Sequence, residues 1–211
     1  MDRMHNVALF EDSARSFLDL VSRITPEQWE KPGLGTWTVR SLAGHTMRAI
    51  TTVNDYLATE APSTVSCPDA ETYLLGTAAG AGSPASQTHD AIAQRGVAAG
   101  ELLAATEPTQ LTQQLERVLA MIAAQPSSRV VSVLGGRSIL LSEYLRARNF
   151  ELVVHAMDVA RATGMEHTIP SRSVEDAAAL AARVAVRQGR GQELLLAVTG
   201  RFPLNESFSV M

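Results

Sequence analysis

Several residue types are scarce in this 211-residue chain, and each shortage closes off a class of answers. Lysine occurs once, at Lys31, and cysteine once, at Cys67. A single cysteine excludes an intrachain disulfide and fits a cytoplasmic location, where thiols stay reduced. The 18 basic residues are outnumbered by 22 acidic ones, giving a formal net charge of −4. No basic patch or stripe of the kind that nucleic-acid binding needs is visible. No apolar run approaches the roughly 18 residues of a membrane span. The start, MDRMHNVALFED, lacks the basic-then-apolar layout of a secretory signal. Aromatic residues are 5% and period-two alternation is rare, so no extended sheet is expected. What is present is ordinary globular composition, 45% hydrophobic and 19% charged, which excludes disorder for the bulk of the chain. Arginine supplies the other basic residues and alanine is abundant, the bias of a GC-rich genome.

Helical periodicity dominates. Val7, Phe10, Ala14, Phe17, Leu18 and Val21 form one stripe on a helix from about Asp2 to Arg23. Thr25 and Pro26 read as an N-cap and first helical residue, and residues 31–35, KPGLG, as a breaker. A second helix is expected from Thr36 or Thr38 to about Thr59, with Leu42, Ala49, Ile50, Val53 and Leu57 facing the core. Residues 61–86 read as a long surface connection with a short helical piece near Tyr73–Leu75. Further helices are expected from Ser86 to Thr106 and from Leu111 to Ala124, then an extended stretch over Arg129–Leu134. Ser138 is expected to cap a long helix to Thr163, with Gly164 ending it. A helix over Ser171–Arg187, capped by Ser171 or Ser173, a short apolar piece over Gln192–Thr199 and a C-terminal strand or packed tail complete the pattern. The fold class is therefore all-α: an antiparallel four-helix bundle over residues 1–164, with a C-terminal helix and short tail, 165–211, packing on it.

The segment NFELVVHAMDVAR, residues 149–161, carries the chemistry. Glu151 and His155 are four apart and share a helix face, which Asp158 continues. A carboxylate and an imidazole on a largely apolar helix must be paired or ligate a metal. Alone, they read better as an ion pair on a solvent face. His45 lies on the inward side of the second helix with Leu42 and Ala49; alone it reads as a satisfied core histidine. Two inward histidines and a glutamate on two bundle helices are a different matter. Bundle cores recruit metals from facing helices, and three protein ligands leave a fourth position open, as in catalytic zinc sites. Nitrogen and oxygen donors also admit nickel, iron or manganese.

Two blocks and the tail carry a resemblance. TWTVRSLAGH (36–45), ELVVHAMDVARATG (151–164) and VTGRFPLNESFSV (198–210) resemble signatures of the mycothiol-dependent maleylpyruvate isomerase N-terminal domain family, within the DinB/YfiT-like superfamily. The resemblance implies a four-helix bundle that binds a divalent metal, usually zinc, through His45, Glu151 and His155. It further implies a low-molecular-weight thiol such as mycothiol as cosubstrate, its sulfur taking the open metal position. The thiolate would attack a small electrophile, in a transferase or isomerase reaction. It also suggests that an arginine of the tail, Arg201, meets the site as a catalytic residue. Two features depart from the family. Ser41 stands where an acidic residue is frequent. Only 47 residues follow Gly164, too few for the additional α/β domain of the full isomerase. The expected reaction is therefore thiol transfer or isomerisation on some other small electrophile. Two further readings stay open: a bundle that binds metal or a small ligand without turnover, and a scaffold with an empty site that works as a homodimer.

Other residues have weaker claims. Asp158 reads either as the acceptor that fixes a ligand histidine or as an ion-pair partner of Arg161. Arg40, Arg48, Arg148 and Arg161 are candidates for a bundle mouth, where one could bind a carboxylate. Trp29 and Trp37 read as structural. Cys67 reads as a free thiol in a polar loop, without the base that a nucleophile needs. His5, His89 and His167 are expected to be exposed, and Gly135-Gly136 to be a plain loop.

Overall fold

The computed structural model describes residues 3–79 and 86–210; over 77–79 and 86–93 it describes the backbone alone. The expected outward side chain of His89, part of the Gly76–Ser83 patch, Asp2 and the final Met211 lie outside the described residues. The elements are α1 (Arg3–Ser22), α2 (Pro26–Trp29), α3 (Val39–Leu57), α4 (Ala70–Ala79), α5 (Ser86–Ala104), α6 (Pro108–Ala123), β1 (Val130–Val133), β2 (Arg137–Leu140), α7 (Leu141–Thr163), α8 (Ser171–Arg187) and α9 (Gly191–Val198). The chain is mostly helical, with one small sheet. Among the described residues, no helix is long and apolar enough to cross a membrane.

The helices form where caps and stripes predict them. Thr25 opens α2 with a reciprocal cap: its hydroxyl accepts from the Gln28 backbone, and the Gln28 side chain accepts from the Thr25 backbone. The Thr38 hydroxyl accepts from Ser41 N at 3.2 Å to start α3, and the Ser41 hydroxyl lies 3.2 Å from it as well. Gly164 ends α7 in the left-handed conformation, φ 72°. The apolar stripe of α1 is buried at Phe10, Ala14, Phe17, Leu18 and Val21, and all five expected core residues of α3 are buried. Helix α7 packs on α1, α3 and α8, while α6 packs on α1 and α3.

Five local expectations are corrected. Residues 61–86 are not mainly a surface strap: α4 spans ten residues and buries Ala70, Tyr73 and Leu74. Ser138 caps no helix. It lies in β2, paired antiparallel to Ser132 of β1, and the left-handed Gly135 and Gly136 turn the hairpin. Six residues of β-branched or apolar character around a Gly-Gly turn favoured pairing over helix. Cys67 is buried, 3% exposed, because its backbone donates to the Ser138 carbonyl at 2.8 Å and draws the loop onto β2. Neither Ser171 nor Ser173 caps α8: Pro170 occupies the cap position, and Ser173 is buried against α1 through a bond to the Leu9 carbonyl. His167 is also half-buried, with the Ser16 hydroxyl 3.0 Å from its Nε2.

Two contacts set the packing. A buried Arg146 on α7 donates to Glu71 of α4 at 3.1 Å and to Asp176 of α8 at 3.0 Å, tying three helices together. Breaking one side of such a buried group costs about 3–5 kcal/mol. The second is a close approach of α3 and α5. A Cβ at Gly44 would collide with the backbone of Gly96 and Gly100, and a Cβ at Gly100 with the carbonyl of Arg40. Only glycine lets these helices touch backbone to backbone. Gly44→Ala should therefore destabilise the protein by about 2–3 kcal/mol or more, read as a lower urea midpoint. An unchanged midpoint would show that α5 is not held against α3 at this contact.

Candidate metal centre

Helices α3 and α7 carry two inward stripes that face each other. On α7, Tyr144, Arg148, Glu151 and His155 follow at spacings of four, three and four; on α3, His45, Ala49, Thr52 and Tyr56 do the same. The helix contact brings the stripes together. Glu151 Oε2 lies 3.3 Å from His155 Nε2 and 3.9 Å from His45 Nε2. One ligand atom from each of His45, Glu151 and His155 falls within 4.8 Å of the other two. The rings of His45 and His155 meet edge-on, with centroids 5.2 Å apart, and Trp37 packs on His45 at 4.9 Å. Trp37 thus anchors the start of α3 and shapes the wall behind His45.

Asp158 has both partners that the sequence offered it. Its Oδ2 is 3.2 Å from His155 Nδ1, and its Oδ1 accepts from Arg161 at 3.4 Å. By accepting a hydrogen bond from Nδ1, Asp158 turns His155 Nε2 toward Glu151, the face that a metal would meet. Burial alone would lower the His155 pKa, but the hydrogen bonds to Asp158 and Glu151 raise it to about 9. For Glu151, burial alone would raise the pKa. The bonds to His155 and His45 and the nearby Arg148 overcome this and hold it well below the ordinary carboxylate range. The carboxylate is therefore ionised at neutral pH inside the protein.

Beside His45 and Glu151 lies a cavity of about 160 Å3, walled by Tyr56, Tyr73, Tyr144, Arg48, Arg95 and Arg148, with Leu134 of the hairpin tip on its rim. Arg148 sits over the rings of Tyr144 and Tyr73, 4.8 and 5.4 Å from their centroids, and 4.0 Å from Glu151 Oε1. Of the four arginines considered for a mouth, Arg48 and Arg148 line this cavity. Arg40 instead pairs with Glu30, and Arg161 is exposed beside Asp158. The three tyrosines and Arg95 were missed from the sequence, although Tyr144 and Tyr56 continue the same helical stripes as Glu151 and His45. Arg201 is exposed on the tail and donates to its neighbour Thr199 at 3.3 Å; it is not among the cavity's lining residues. The end of the tail, Phe208–Val210, packs instead on a groove of Phe150, Val153, Met157 and Ala177. That groove lies on a different face of α7 from Glu151 and His155.

A sequence-family model described as mycothiol maleylpyruvate isomerase N-terminal domain matches residues 10–160. The chain belongs to this family. The match takes in the whole of α3 and α6, both strands, and α7 through His155 and Asp158. No curated protein and no solved structure matches the chain. In this mycothiol-related isomerase family, the His45–Glu151–His155 cluster is the feature that demands a chemical account. Ligands about 2.0–2.1 Å from a tetrahedral zinc lie about 3.3 Å apart. The His155–Glu151 pair stands at 3.3 Å and the His45–Glu151 pair at 3.9 Å, and all three donor atoms lie within 4.8 Å of one another, a group that could hold a metal ion.

The charge state gives a pH prediction. In chelator-stripped protein, the raised His155 pKa adds stability that is fully present below pH 6.5 and is lost as pH rises through about 9. Glu151 contributes in the opposite sense: its stabilisation is present above pH 4.5 and lost only as pH falls through its depressed pKa. The melting temperature of stripped protein should therefore fall between pH 6.5 and 9, and His155→Gln should remove that fall. Zinc added at pH 7.5 should release about one proton, since a ligating imidazole is neutral. Calorimetry in buffers of different ionisation enthalpy measures it; release of none would contradict the assignment of His155.

Proposed function

We propose that the chain is a metal-dependent thiol S-transferase or isomerase. Its divalent metal, zinc before nickel, is held by His45, Glu151 and His155. Its thiol cosubstrate is mycothiol, and its substrate is a small electrophile. The observation that carries the reading is the convergence of two imidazoles and one ionised carboxylate, His155 buried and the other two half-buried, beside a cavity lined with arginine and tyrosine. Membership of a mycothiol-related family supports the choice of thiol. The contacts of α1 with α7, α7 with α3, α3 with α6 and α6 with α1 support reading the helices as the superfamily's four-helix bundle.

A metal bound here supplies Lewis acidity that lowers a thiol's pKa, making the nucleophilic thiolate available at neutral pH. The protein's own residues do the rest. Asp158 orients His155 through Nδ1, and Arg148 holds the second oxygen of Glu151, leaving Oε2 toward the histidines. The buried Tyr144 hydroxyl donates to Thr52 Oγ1 at 2.8 Å, Thr52 in turn donating to the Arg48 carbonyl at 2.6 Å, and burial raises the tyrosine's pKa, so it stays protonated beside the cavity. Arg48, Arg95 and Arg148 make the cavity an attractive place for developing negative charge. These three take over the anion-binding part assigned to an arginine in the sequence, whereas Arg201 would need the tail to move before it reached the chamber.

Cobalt(II) tests this reading directly. Protein reconstituted with cobalt should gain a sulfur-to-metal charge-transfer band when mycothiol is added, and Glu151→Gln should abolish it. A cobalt spectrum indifferent to every thiol would instead favour a bundle that binds metal without thiol chemistry.

A further inference from the structure

Two cavities meet at a pair of arginines. The inner one is the chamber of about 160 Å3 beside His45 and Glu151. The outer one, about 470 Å3, runs between α3, α5 and α6, with Met47, Ala98, Leu102, Leu103 and Leu111 among its walls. Its size falls within the roughly 300–1,000 Å3 typical of small-molecule sites. Arg48 of α3 and Arg95 of α5 line both cavities, so the two adjoin at that neck.

The neck is cationic without compensation. Other arginines are matched to carboxylates: Arg15 with Glu11 and Glu116, Arg146 with Glu71 and Asp176, Arg187 with Asp69. Among the described residues, the half-buried guanidiniums of Arg48 and Arg95 have no carboxylate partner. Two adjacent unpaired guanidiniums form a receptor for an anion, and a carboxylate is the shape they fit. Beyond them the walls turn apolar, and Leu102 remains 69% exposed. A compact dianion would satisfy the neck and leave that groove wet. The glycine contact of α3 with α5 is what holds Arg95 and the groove beside His45, because Gly96 approaches His45 Cβ itself.

The geometry points to an amphiphilic substrate: an electrophile with one carboxylate or comparable anionic group at Arg48 and Arg95, and an aliphatic or aryl body in the α3–α5–α6 groove. Its reactive end enters the chamber. The last point alone rests on the proposed thiol chemistry; the binding site stands on the cavity and its charges.

Calorimetry on the full chain tests this, with octanoate, octanol and maleate as probes and zinc content measured on the same samples. Octanoate should bind at least about tenfold more tightly than either maleate or octanol, a difference of about 1.4 kcal/mol. Arg48→Gln and Arg95→Gln should each weaken octanoate by about tenfold. Ala98→Phe and Leu102→Asp change exposed positions that the fold tolerates; they should weaken octanoate and leave maleate unchanged. Octanoate binding no tighter than maleate, or indifferent to these four substitutions, would overturn the inference. Normal zinc content without octanoate binding would sink the amphiphile and spare the metal reading. Octanoate binding without zinc uptake would do the reverse.

Discussion

A carboxylate inside a helical protein must find charge to neutralise it, and Glu151 organises the site around that need. Removing an ion from water costs several kcal/mol even after relaxation. Here the cost is offset by His155 and His45 on one side and Arg148 on the other. Each partner is fixed in turn. Asp158 holds His155, Trp37 packs on His45, and Arg148 lies against the rings of Tyr73 and Tyr144. The result is a constellation whose members sit on two rigid helices rather than on loops, the arrangement that keeps a functional group in place. It also leaves Glu151 Oε2 and the two Nε2 atoms aimed at common space.

The surroundings follow from how closely helices approach. Helix α7 meets α3 through side chains, leaving room for the tyrosine-lined chamber. Helix α5 meets α3 through glycine backbone, bringing Arg95 and an apolar wall to the same end of the protein. The β1–β2 hairpin closes a third side with Leu134, and the buried Cys67 loop is strapped to that hairpin through Ser138. The candidate ligands stand on α3 and α7, whereas the wall of the outer groove draws on α5 and α6 as well as α3.

Much of this was legible in the sequence because helices write their faces at fixed spacing. The i,i+4 pair Glu151 and His155, and the inward His45 on the stripe of Leu42 and Ala49, could be read directly, as could the caps at Thr25 and Thr38 and the stop at Gly164. What escaped reading depended on tertiary contact. Ser138 is a good helix cap by residue type, but pairing with Ser132 takes it into a strand. Cys67 looks like a loop thiol until its backbone is tied to β2. Tyr73 comes from α4, a helix expected to be one turn long, so its place at the cavity had no local signal. Arg95 sits in an alanine- and glycine-rich helix with no sharp apolar face, where the informative residues were glycines spaced for close approach rather than side chains. Arg201 attracted attention through its motif, and the structure puts it on an exposed tail beside Thr199.

The most direct test of the central claim is metal content by elemental analysis of tag-free protein, wild type beside Glu151→Ala and His45→Ala, with circular dichroism to verify that the helices persist. The account predicts close to one equivalent of zinc or nickel in the wild type and almost none in either folded variant. Metal retained at full occupancy in a folded variant, or a wild type that takes up none on reconstitution, would contradict it.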